Sequence, residues 1–276
     1  MVKIVLVWLF LLLPGSAFAL DMEMDVIERQ LLDAVRRIEY WTLPEQQDRY
    51  TDPFDSLLLA NDHLERLLLH YTTIYPGTID YDFKALHTFR LGITTSEDGN
   101  LRIYSWDTRT GGTMRYYKTV FQYRNKSGVF SKASVENRQQ ENDPPGTMGC
   151  FYDQVNDVTV DGKTYYLVQR RYVLSSACSY HSLKIFTIND RGLDEKAKLI
   201  KTSKGLQNEI SYETDWSYGV NREQDTEIDD AIRYEPEEKA FTIPLVLKNN
   251  KITDRRIRYV FHGRYFEKDP AKKSKE

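Results

Sequence analysis

Side chains able to bind or catalyse are densest between Tyr104 and Tyr117, where Trp106, Asp107, Arg109, Gly111, Gly112, Arg115 and Tyr117 fall within fourteen residues. A Gly-Gly loop flanked by aromatic and charged groups can hold a sugar ring. The aromatic face takes the C–H surface, and Asp or Arg bonds a hydroxyl or a carboxylate. Trp106, Asp107, Arg109, Arg115 and Tyr117 are therefore the expected ligand-binding residues. The same stretch also reads as a plain hairpin. Alternate residues of a strand face opposite ways, so Trp106 is equally placed to be core while Asp107 caps the turn.

Carboxylates gather a second time at Asp215, Glu223, Asp225, Glu227, Asp229 and Asp230, beside Trp216 and Tyr218. Glycoside cleavage needs two carboxyls about 5 to 9.5 Å apart, a separation that sequence cannot measure. The segment lacks the sixth-position Gly and the twelfth-position Glu of an EF-hand loop, so a solvated surface loop is expected rather than a Ca²⁺ site. His63 and His70 stand seven apart, not at the i, i+4 spacing of a two-His zinc helix, and His87, His181 and His262 lie in separate segments. No metal site and no cofactor are expected. There is no Gly-x-Ser-x-Gly elbow, phosphate-binding loop or dinucleotide fingerprint, which argues against a serine hydrolase of the α/β type and against nucleotide chemistry.

The N-terminus bears on where this chemistry would operate. Lys3 precedes an apolar run from Ile4 to Leu13, Pro14-Gly15 interrupts it, and Ala17-Phe18-Ala19 has the small-x-small pattern of a signal peptidase site. Ten apolar residues are too few to span a bilayer core of about 30 Å. Residues 1–19 are expected to be a cleaved secretory leader that leaves no stable membrane anchor, and the mature protein is expected to be periplasmic or extracellular. In an oxidising compartment two cysteines more often pair than react. Cys150 and Cys178 are expected to form a disulfide, worth roughly 3.6 kcal/mol by chain entropy.

The elements that must position these groups change character near Pro76-Gly77. Before it, Ile27, Leu31, Val35 and Ile38 recur at helical spacing, which predicts an amphipathic helix over 24–40. Asp52-Pro53 reads as the N-cap and first position of a second helix, carried by Leu57, Leu58, Leu64, Leu67 and Leu68 to about His70. After it, Gly, Asn and Asp turns alternate with runs rich in Tyr, Val, Ile, Thr and Phe, which predicts strands over 88–95, 101–107, 114–124, 164–174, 180–188, 241–248 and 256–262. Stretches 136–149 and 214–230 read as irregular.

The expected fold is therefore α+β and β-rich: an N-terminal helix hairpin over 20–78 packed on a mostly antiparallel β-meander over 79–267, with a frayed tail over 268–276. Leu101 to Gly111 contains a Trp-Asp like that of a propeller blade, but only once, so a sandwich or curled sheet is preferred to a propeller. A formal charge of -3 gives no electrostatic case for a nucleic-acid partner. Without a catalytic motif, the leading expectation is a non-catalytic exported module for a glycan or protein ligand. The alternative is an exported hydrolase of glycans or peptides that uses the carboxylates. Oligomeric state is open at this level.

Overall fold

Three sheets, antiparallel but for one strand pair, and one layer of helices stack face to face, because the strands between them carry apolar side chains on both faces. The computed structural model describes residues 15–49, 51–88, 91–137, 149–222 and 228–270. Most of the expected leader (1–14), Pro144-Pro145 and the carboxylates Glu223, Asp225 and Glu227 lie outside those residues.

Helix α1 spans Gly15–Trp41 and buries Met24, Ile27, Leu31, Val35 and Ile38. It starts earlier than the apolar period alone predicts. The polar stretch after it forms a short helix α2, Pro44–Arg49. Helix α3, Pro53–Ile74, runs four residues past its expected end and buries Leu57, Ala60, Leu64 and Leu68 against α1. Asp52 does precede the first turn, but its side chain makes no capping hydrogen bond, so Pro53 alone marks the start.

Strands β1 (Leu91–Thr95), β2 (Leu101–Asp107), β3 (Tyr117–Asn125) and β4 (Gly128–Ala133) form the first sheet as an antiparallel meander. The second sheet begins with β5 (Phe151–Val160), β6 (Lys163–Val173) and β7 (Cys178–Asn189), which β8 (Gly192–Asp194) extends. The chain then makes the hairpin β9 (Ile200–Thr202) and β10 (Gly205–Gln207) of a third sheet, and returns as β11 (Glu209–Asp215) to pair with β7. After the single turn α4 (Gly219–Arg222), β12 (Arg233–Glu235), β13 (Ala240–Val246), β14 (Ile252–Phe261) and β15 (Phe266–Lys268) complete the third sheet. Its order is β10-β9-β15-β14-β13-β12, and β15 with β9 is a parallel pair.

Three apolar layers hold the stack together. Tyr104, Trp106 and Val120 of the first sheet pack on the helices. Leu101, Ile103 and Phe121 on its other face meet Tyr152, Val155, Tyr166, Val168 and Phe186 of the second sheet. Leu167, Leu183 and Ile185, from the opposite face of that sheet, meet Phe241, Ile243, Tyr259 and Phe266 of the third. Each such side chain, once buried, contributes about 1.5–3 kcal/mol relative to exposure. The fold is thus α+β and β-rich, with antiparallel sheets behind N-terminal helices, and it forms no closed barrel. Among the described residues, no helix is long and apolar enough to cross a membrane. The last strand reaches Lys268, one residue into the tail expected to fray, and Asp269 N–H still donates to Arg258 O at 2.8 Å.

The expected disulfide is not formed: Cys150 and Cys178 are both free thiols. Register explains it. Phe151 pairs with Arg171 and Val173 with Ser179, so β6 runs between the two cysteines. Two strand spacings separate them by about 10 Å, beyond the roughly 7 Å limit for bridged Cα atoms. Burial pushes the Cys150 thiol up to about 12 and the Cys178 thiol up to about 11, which keeps both protonated. The melting temperature is therefore expected to be the same with and without a thiol reductant. A fall of several degrees on reduction would show that a bond exists.

Candidate functional site

Four residues of the second sheet stand in one row across its strands. Phe151 of β5 pairs with Arg171 of β6, Arg171 with His181 of β7, and His181 with Tyr212 of β11. Residues paired across strands share a face, so the row presents a ring, a guanidinium, an imidazole and a phenol side by side. The Arg171 guanidinium lies 5.7 Å from the Phe151 ring centre, and His181 stacks on Tyr212 at 5.1 Å with the planes 7° apart. Further along the same face, Leu183 and Ile185 are covered by the third sheet. The polar row lies at the margin of that cover: Tyr212 packs against the same cluster and His181 is buried, while Phe151 and Arg171 are partly exposed.

Clefts flank the row on both sides, and Arg171 lines both of them. One, of about 470 Å³, is bounded by Gly92, Asp107, Tyr117, Phe151 and Arg171. Gly92 lets the Phe151 ring approach closely, since a Cβ there would fall 2.5 Å from the ring and displace it. The Tyr117 and Phe151 ring centres are 5.8 Å apart. Burial pushes the Tyr117 phenol above its usual value, against the pull of Arg171, so it remains a hydrogen-bond donor. Asp107 accepts the Arg109 backbone N–H at 2.8 Å and faces the guanidinium groups of Arg115 at 3.4 Å and Arg109 at 3.6 Å.

The other cleft, of about 500 Å³, is bounded by Asp153, Gln169, Arg171, His181 and Asp230. Arg171 donates to both carboxylate oxygens of Asp153, at 2.9 and 3.3 Å. Burial holds the His181 imidazole below its usual value; Asp230 opposes that shift and Arg171 adds to it. It is neutral at neutral pH. Its Nε2 lies 3.3 Å from Thr214 Oγ1 and 3.9 Å from Asp230 Oδ2. A nucleophile relay needs the hydroxyl and the carboxylate on opposite ring nitrogens. Here both approach the same one, and Thr214 is fully buried.

The expected site residues therefore divide. Asp107 and Tyr117 line the first cleft, with Arg109 and Arg115 ion-paired to Asp107. Trp106 points the other way and is 2% exposed, inside the helix-facing core. Of the acidic segment, Asp230 reaches the second cleft, where it accepts Trp216 Nε1–H at 3.2 Å. Asp215 instead accepts the Ser217 backbone N–H of its own turn. Arg171, Phe151 and Asp153 were not anticipated from sequence, although adjacent Arg170 and Arg171 inside an apolar strand are a visible signal, since one must face each side. Among the described residues, no group of three His, Cys, Asp or Glu side chains is placed to hold a metal ion. The arrangement offers the partly exposed Phe151 ring, the buried Tyr117 phenol beside it, a partly exposed guanidinium and a carboxylate within one groove, a set suited to holding a polar ring. No family model, curated protein or solved structure matches the chain.

Proposed function

We propose that the chain is an exported, non-catalytic binding protein whose groove along the Phe151–Arg171–His181–Tyr212 row holds an acidic glycan. The observation that carries this reading is the position of Arg171, which lines the clefts on both sides of the row with its side chain 37% exposed. A guanidinium binds a sugar carboxylate through two parallel hydrogen bonds. The Phe151 ring offers a face for the sugar's C–H surface, and Asp107 accepts from hydroxyls. Export is supported by the leader-like composition of residues 1–19.

The test is retention on an array of uronate-containing and neutral oligosaccharides, comparing the wild type with Arg171→Gln. Hydrogen bonds to charged groups contribute about 1.5–3 kcal/mol, so the variant is expected to bind acidic glycans at least about tenfold more weakly. Its melting temperature should change little, because the Arg171–Asp153 pair is partly exposed and such pairs contribute about 0–1 kcal/mol. Equal binding by the variant, or retention of neutral glycans alone, would remove Arg171 from the site.

A further inference from the structure

A third cleft of ligand size lies on the opposite side of the first sheet, between α1 and α3, away from the groove just described. It measures about 710 Å³, and its walls include Arg37, Tyr40 and Trp41 of α1 and Leu59, His63 and Arg66 of α3. That volume falls in the range of small-molecule sites. Tyr40 and Trp41 stand edge to face, with ring centres 5.1 Å apart, and Leu59 is 65% exposed.

Among the described residues, positive charge outnumbers negative charge in this cleft. Among the described residues Asp33 is the sole carboxylate lining it, and Asp33 pairs with Arg36 at 3.8 Å. The acidic residues of α3 nearest to Arg66 lie in a neighbouring cleft that Arg66 also lines, where Lys118 draws Asp62 to 2.6 Å and Glu65 to 2.7 Å. Among the described residues, Arg37 and Arg66 line the cleft without a carboxylate ion pair of their own. His63 between them is held below its usual value, first by burial and then by those two like charges, as expected where positive charge accumulates. In a chain of net charge -3, this is a local reversal of sign.

We infer that the cleft between α1 and α3 is a binding site for a small amphiphile that carries one anionic headgroup, phosphate or carboxylate, on an apolar body. Arg37 and Arg66 take the headgroup, and Tyr40, Trp41 and Leu59 take the apolar part. The cleft is open to solvent, and its volume matches one small molecule rather than a patch of bilayer. The occupant we assign is a monomeric amphiphile, with a bilayer as the rival outcome of the test.

The experiment uses the full chain and follows Trp41 emission while dodecyl phosphate is added below the concentration at which it forms micelles. Trp41→Phe identifies the responding indole. A saturable change is expected, at least tenfold weaker in the Arg37→Gln/Arg66→Gln double variant and unaltered in Arg171→Gln. Both arginines are exposed, so the double variant should fold as the wild type does, with the same melting temperature. A dodecyltrimethylammonium control separates headgroup recognition from tail burial, and phosphatidylglycerol vesicles test the bilayer as the source. Equal affinity in the double variant, equal binding of the cationic amphiphile, or a response to vesicles alone would overturn the assignment. None of these outcomes bears on the Arg171 groove.

Discussion

Replacing Trp106 by Ala is expected to cost about 3–5 kcal/mol of stability, the range for deleting a buried aromatic side chain. The site argues for the upper part of that range. The indole is 2% exposed, and its N–H donates to Asn61 Oδ1 at 3.0 Å. Asn61 is itself buried in α3 and donates to Leu57 O at 2.8 Å and Thr108 O at 2.9 Å. One amide thus ties the helix layer to the end of β2, and truncation leaves its oxygen without a donor. At about 2–4 °C per kcal/mol for a chain of this size, the melting temperature should fall by on the order of 10 °C. Trp106→Phe keeps most of the ring and loses the hydrogen bond, so about 1–3 kcal/mol is expected. Denaturant titration checks both. An Ala variant within about 1 kcal/mol of the wild type that no longer binds glycan would return Trp106 to the ligand site.

Arg170→Met should be comparably damaging, for a different reason. The Arg170 side chain is 4% exposed and donates to Glu136 Oε1 at 3.1 Å, Glu209 Oε1 at 2.8 Å and Ser182 Oγ at 3.1 Å. Removing the cation leaves two half-buried carboxylates facing each other, and breaking a buried pair in this way costs about 3–5 kcal/mol. Neutralising those carboxylates as well removes the repulsion, so Arg170→Met combined with Glu136→Gln and Glu209→Gln should recover part of the loss. A single variant of wild-type stability, or a triple variant weaker than the single, would show that the cluster is not a packing hub.

The helices could be read from the sequence because Ile27, Leu31, Val35 and Ile38 keep one period throughout. Strand β2 could be read end to end, Leu101–Asp107, because both of its faces are covered and turns bound it. Strand β5 was missed for the converse reasons. Asp153, Gln154, Asn156 and Asp157 dilute its apolar run, and an irregularity between Tyr152 and Gln154 breaks the alternation that marks a strand. Strand β11 lies at a sheet edge with polar residues at most positions. For the site, Asp107 and Tyr117 were legible as neighbours within one hairpin. The row they adjoin was not, because Phe151, Arg171, His181 and Tyr212 meet only through register, and a slip of one residue would send every one of them to the other face.

Strand β15 also sets a clock. It lies between β9 and β14, and its Phe266 is fully buried. More than sixty residues separate it from β9, its parallel neighbour, so that contact closes a long loop and is slow to form. As the chain emerges N-terminus first, the helix layer and the first two sheets have all their strands before residue 216. The β9–β10 hairpin must then wait with one edge bare until residues 266–268 arrive. Assembly is vectorial, and the final three-residue strand acts as its latch.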